Sequence, residues 1–78
     1  MITESPSIVG RYRHYRDPQK EYEVLGIARH SETLEELVVY KALYAGDFPK
    51  DQLWVRPKTM FFESLVHNGQ TVPRFTKL

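Results

Sequence analysis

The chain contains no cysteine, which excludes disulfides, thiol catalysis and cysteine-ligated metal centres. A charge excess is missing too: eleven Lys and Arg stand against ten Asp and Glu, a net +1. No bulk field therefore draws the chain to nucleic acid or to an anionic membrane. Apolar runs such as Leu37-Val38-Val39 fall far short of the roughly 20 residues that a membrane span needs. The first ten residues have neither the basic start nor the apolar centre of a signal peptide, so the expected location is cytoplasmic and no membrane contact is expected. The four glycines are scattered, and none belongs to a phosphate-cradling loop. With 78 residues there is room for one domain and one small core, and none for a two-lobed enzyme with a deep cleft.

What is present reads as a succession of short strands. Residues 1–9 (MITESPSIV) are patternless and read as a disordered tail, with a single β domain over residues 10–78. In the run Arg11-Tyr12-Arg13-His14-Tyr15, period two puts Tyr12 and His14 on one face and Arg11, Arg13 and Tyr15 on the other. Asp17-Pro18 ends that run. Extended structure resumes over residues 21–30, where Tyr22 and Val24 share one face, Leu25 and Ile27 the other, and Gly26 marks a bulge or sharp bend. Residues 31–44 (SETLEELVVYKALY) support two readings. Thr33-Leu34-Glu35-Glu36 fits a helix capping box. Against it, Leu37-Val38-Val39-Tyr40 is β-branched and aromatic and suits a pleated surface, which makes residues 31–36 an acidic turn between two hairpin arms.

Beyond the loop at residues 45–51, residues 52–56 (QLWVR) form a strand closed by Pro57, and residues 58–62 suit a single 3₁₀ turn. Asn68-Gly69 then signals a type I′ hairpin between residues 64–67 and 71–75, with Pro73 confining the second arm to an edge. The sum is an all-β fold, an SH3-like partly open barrel with a single 3₁₀ turn, or alternatively an OB-like barrel.

Four segments are familiar in this order: GRYRHY (residues 10–15), YEVLGIARHSET (22–33), EELVVYKALY (35–44) and LWVRP..MFFE (53–63). Together they resemble the small bacterial family known as domain of unknown function 1653. The resemblance spans residues 10–75. It implies a compact β domain of bacterial origin, favours the hairpin over the helix at residues 31–44, and implies no activity.

The residues offer little chemistry. His14, His30 and His67 have no helical metal-ligand spacing. His14 and His30 could meet across paired strands with Glu32 as a third ligand, although an imidazole on a strand more commonly bonds a neighbouring backbone group, and no metal or cofactor is expected. Ser31 directly follows His30 and points to the opposite face, so the two cannot act as nucleophile and base. An enzyme or enzyme subunit built on His30 and Glu32 is thus the alternative reading, and a binding or accessory module the leading one.

The suggestive feature is aromatic and basic residues together. Charge is zoned, +2 over residues 1–20, −4 over 21–36 and +3 over 37–78. Aromatic faces beside Arg and Lys are what small β-barrels use to stack bases and neutralise phosphates, and equally what peptide grooves use. Large aromatics are as often simply core. On this basis Tyr12, His14, Tyr40, Trp54 and Arg56 are the candidate binding residues, for an anionic ligand, single-stranded nucleic acid or a protein partner. Arg11, Arg13, Arg56 and Lys58 would form one basic patch if residues 10–15 and 52–56 lie on the same side. If Leu53 and Val55 are core, Trp54 and Arg56 face outward; if Trp54 is core, Arg56 points inward and needs a carboxylate such as Glu63. An exposed edge strand would permit a weak homodimer of the otherwise monomeric chain.

Overall fold

Alternation of apolar and polar side chains dictates the strands. The computed structural model describes residues 8–78; of the tail expected at residues 1–9, residues 1–7 lie outside the described part. The elements run β1 (Gly10–His14), β2 (Glu21–Arg29), β3 (Glu36–Ala42), β4 (Leu53–Pro57), α1 (Lys58–Phe61), β5 (Ser64–His67), β6 (Gln70–Pro73) and β7 (Phe75–Lys77). Five strands form one antiparallel sheet in the order β4-β3-β2-β1-β7, and β5 and β6 form a separate hairpin. The fold is all-β and only partly closed, since β4 and β7 remain the two edges of the large sheet. Among the described residues no helix is long and apolar enough to cross a membrane.

The β2–β3 hairpin is the frame. Its register runs from Tyr22↔Ala42 to Arg29↔Glu36 and slips between Val24 and Gly26, so Leu25 is the bulged residue beside the glycine that signalled it. The hairpin reading of residues 31–44 holds, because Val38, Tyr40 and Ala42 alternate into the core, a period that a helix would break. The turn closes with His30 donating to the Glu35 carbonyl and Leu34 donating to the His30 carbonyl, both at 2.8 Å. At the β5–β6 turn, Asn68 (φ 53°) and Gly69 (φ 78°) both take the left-handed conformation a type I′ turn demands.

Two expectations at the C-terminal end are corrected. The turn at residues 58–62 is one α turn, because Phe62 donates to the Lys58 carbonyl four residues back (3.2 Å); a 3₁₀-type bond appears only at its exit, from Glu63 to Met60 (3.4 Å). The arm expected over residues 71–75 divides at Arg74. There the backbone donates to the Glu63 carbonyl and accepts from the Tyr15 amide, each at 3.0 Å, so the chain leaves the hairpin and delivers Phe75 to the main sheet. The core explains the transfer. Phe75 stacks on Phe61 from α1 with centroids 4.2 Å apart and rings 7° from parallel, and Tyr12, Val24, Val38 and Tyr40 complete the buried cluster. Ile8, Tyr22 and Trp54 pack against it.

Candidate functional site

All five candidate residues lie on one face of the sheet, the one that carries the core. Registers Tyr12↔Tyr22, Tyr22↔Ala42, Val24↔Tyr40, Tyr40↔Trp54 and Val38↔Arg56 align them there, with His14 opposite Phe75. Their surroundings differ. Tyr12 and Tyr40 are only 4% and 7% exposed, and Tyr12 spends its hydroxyl on the Ile8 carbonyl at 2.9 Å. Trp54 packs on the core cluster and meets Phe48 edge to face at 4.9 Å. Leu53 and Val55 are 57% and 58% exposed, so they face outward and Trp54 and Arg56 inward. Register is the reason: Val55 pairs with Val39, whose neighbours Val38 and Tyr40 are buried in the core. The carboxylate expected for Arg56 goes elsewhere, since Glu63 binds Arg74.

His14 is the centre of what remains. It closes β1, half-buried, with its ring edge to face against Phe75 (5.2 Å) and tilted against Tyr15 (4.8 Å). Its Nδ1 accepts the Arg16 backbone amide at 3.1 Å, so the proton of the neutral ring sits on Nε2. Burial holds its pKa below 6.5, and the charges of Arg74, Arg16 and Arg56 push it the same way against a weaker pull from Asp17. The charges of three arginines from separate parts of the chain therefore act on one imidazole. Arg16 lies over the Tyr15 ring (5.6 Å to the centroid) and bonds its hydroxyl at 3.1 Å. Arg74 is ion-paired to Glu63, yet its Nε hydrogen is buried without a partner among the described residues. Arg56 makes no ion pair among the described residues. On the outer flank, Tyr15 meets His67 of β5 edge to face at 5.1 Å.

The basic patch read from the sequence is replaced by this cluster. Arg11 and Arg13 alternate onto the face away from His14, where Arg11 pairs with Glu21 at 3.4 Å, and Lys58 pairs with Glu36 at 3.4 Å. Sequence reasoning missed Tyr15, Arg16 and Arg74 as site residues. The available signal was a base directly after Pro73, at the point where an edge strand has to end.

A concavity of about 360 Å³ lies at one end of the sheet, lined by Lys20, Ala42, Tyr44, Phe48 and Trp54 among others. Lys20 sits 5.2 Å from the Tyr44 ring centroid, and the Tyr44 and Tyr22 hydroxyls share a hydrogen bond of 2.7 Å. Burial, helped by that bond, drives the Tyr22 pKa upward. Phe48, solvent-exposed within the polar loop AGDFPKD, was the sequence signal for this place.

His30 and His14 do not meet. His14 lies beside the start of β2 and His30 just past its end, about 30 Å of strand path at 3.3 Å per residue. His30 Nδ1 accepts the backbone amides of Glu32 (3.1 Å) and Thr33 (3.3 Å), which makes it the staple of an exposed turn. Glu32 thus reaches His30 through its backbone, and both residues are exposed. Among the described residues no three His, Asp or Glu side chains gather as a metal site.

The comparisons agree with this architecture. A crystal structure of a protein belonging to DUF1653 from Bordetella bronchiseptica superposes with a TM-score of 0.77 at 35% sequence identity, covering 90% of this chain and 85% of that one. No curated protein matches. The family model described as "Protein of unknown function (DUF1653)" matches residues 10–77, essentially the whole β fold, and the chain belongs to that family.

Proposed function

We propose that the domain is a small binding module, and that it takes an anionic ligand at the cluster of His14, Arg16, Arg56 and Arg74, with single-stranded nucleic acid as the first ligand class. The observation that carries this reading is that Arg16 gives its backbone amide to His14, Arg74 is tied through its carbonyl to the Tyr15 amide, and Arg56 shares the His14 face of the sheet, so that three guanidinium charges act on His14 while only one of them, Arg74, has a carboxylate partner among the described residues. Like charges held together cost stability, and a bound phosphate would relieve that cost. Tyr15, flanked by Arg16 and His67, supplies a ring on which a base can stack. Trp54 stands at the neighbouring concavity and offers a second such surface. The strand order, with a helical turn before the last strand of the sheet, suits an SH3-like barrel, a scaffold that binds through one face. The expected setting is the bacterial cytoplasm.

Titration with a short oligothymidylate, followed by amide and imidazole shifts, tests the reading. With three phosphates neutralised, the log–log salt slope is expected near −2, from about 0.7 per phosphate on a single strand. Arg56→Gln should flatten that slope by about 0.7, while Arg29→Gln, at the far end of β2, should leave it unchanged. Shifts confined to residues away from Tyr15, His14 and Arg56, or no shifts at low salt, would refute the proposal.

A further inference from the structure

β4 borders the large sheet, and among the described residues nothing pairs with its outer edge. The bond from the Ala42 amide to the Gln52 carbonyl (3.3 Å) fixes which groups face which way. Backbone groups of Gln52, Trp54 and Arg56 turn toward β3, and those of Leu53, Val55 and Pro57 turn outward. Pro57, which has no amide hydrogen, thus stands where a missing donor costs the sheet nothing. Edge strands are commonly protected by an outward lysine, a proline or a bulge. β4 has only the proline, Pro57 at its last position, and its outward side chains, Leu53 and Val55, are aliphatic and exposed.

Leu53-Trp54-Val55-Arg56-Pro57 is also complementary to itself when reversed about Val55. Antiparallel pairing of two copies sets Val55 opposite Val55, Leu53 opposite Pro57, and Trp54 opposite Arg56. The two Val55 residues exchange a pair of backbone hydrogen bonds, and each Leu53 amide meets a Pro57 carbonyl. The one group left without a donor is the Leu53 carbonyl, which would face the proline nitrogen, and it already accepts from its own chain's Gln52 Nε2 at 3.3 Å. On the core face each Trp54 ring lies across from an Arg56 guanidinium that has no carboxylate partner among the described residues, an arrangement suited to cation–π contact. We infer that β4 is the pairing edge of a homodimer, in which two five-stranded sheets join about a two-fold axis at Val55. An interface of two five-residue strands lies at the small end of specific contacts, so the association is reversible and concentration-dependent.

Sedimentation velocity from micromolar to millimolar protein tests this, with Val55→Lys and Val55→Glu as paired variants. Val55 is exposed and outside the arginine cluster, so both variants should keep the wild-type circular dichroism and His14 shifts. Each variant alone should remain monomeric, because residue 55 meets its own copy and like charges oppose. Mixed in equal amounts, the two should associate, an outcome that damaged folding cannot imitate and that another register would not give. A wild type monomeric at millimolar concentration, single variants that dimerise like it, or a mixture that stays monomeric while the wild type associates, would each overturn the inference. Every outcome is read from association in the absence of any anionic ligand, and so is distinct from the oligonucleotide titration.

Discussion

Phe61 stacks on Phe75 and leans against Tyr12 (5.6 Å) and Tyr40 (5.3 Å), fully excluded from water, although it sits in a single helical turn. Removing its ring should cost about 3–5 kcal/mol. That approaches the roughly 4–12 kcal/mol expected for a domain of this length, so Phe61→Ala should be largely unfolded under conditions where the wild type is not. Leu53→Ala, on the exposed face of β4, should shift stability by no more than about 0.5 kcal/mol. Denaturant midpoints in the reverse order would contradict the assignment of faces. At His14 the sign of the pH effect follows from its lowered pKa. The folded state binds the proton less readily than the unfolded state, so the contribution is complete above about 6.5 and is lost as pH falls through the lowered folded value. Stability should decline over this range, and His14→Gln should decline less. Parallel curves for the two proteins, measured by urea titration at a series of pH values, would show that His14 is not the group responsible.

At the scale of elements, the hairpins were legible because their turns leave chemical signatures. Asn68-Gly69 needs left-handed backbone and has it, and Gly26 marks the bulge. Leu34 was not legible: it holds φ at 64° in the β2–β3 turn while 61% exposed, a position where a leucine gains little burial and strains its backbone. Leu34→Asn should therefore raise stability by up to about 1 kcal/mol, read as a higher melting temperature, because asparagine tolerates that conformation. A lower melting temperature would mean that Leu34 packs more than its exposure indicates. The orientation of β4 was equally hidden. Leu53, Trp54 and Val55 are apolar on both faces of the strand, so alternation alone could not say which face is core; only the pairing of Val55 with Val39 decides it. The end of β6 at Arg74 escaped for a related reason, since the demand for Phe75 in the core is a long-range one.

Over the whole molecule, the small net charge conceals a division of labour. The acidic residues of β2 and β3 are largely consumed by surface pairs, Glu21 with Arg11, Glu23 with Lys41, and Glu36 with Arg29 and Lys58. Such exposed pairs contribute about 0–1 kcal/mol each and matter more for where charge is left over than for stability. Arg16, Arg56 and Arg74, of which only Arg74 has a carboxylate partner among the described residues, act together on His14 although the sequence spreads them across 59 positions from first to last. His14 and Arg56 were recognisable as candidates by their aromatic neighbours; this joint action was not, because it depends on the sheet's curl and on the chain's departure from β6. The His14 imidazole is thus a built-in reporter of the cluster, and its pKa, followed by NMR with and without a short oligothymidylate, is the most direct measurement. The account predicts a value below 6.5 in the free protein, a rise when Arg56 is replaced by Gln, and a rise on adding the oligonucleotide, as phosphate offsets the guanidinium charge. A His14 pKa at or above 6.5 that neither the substitution nor the oligonucleotide moves would contradict it.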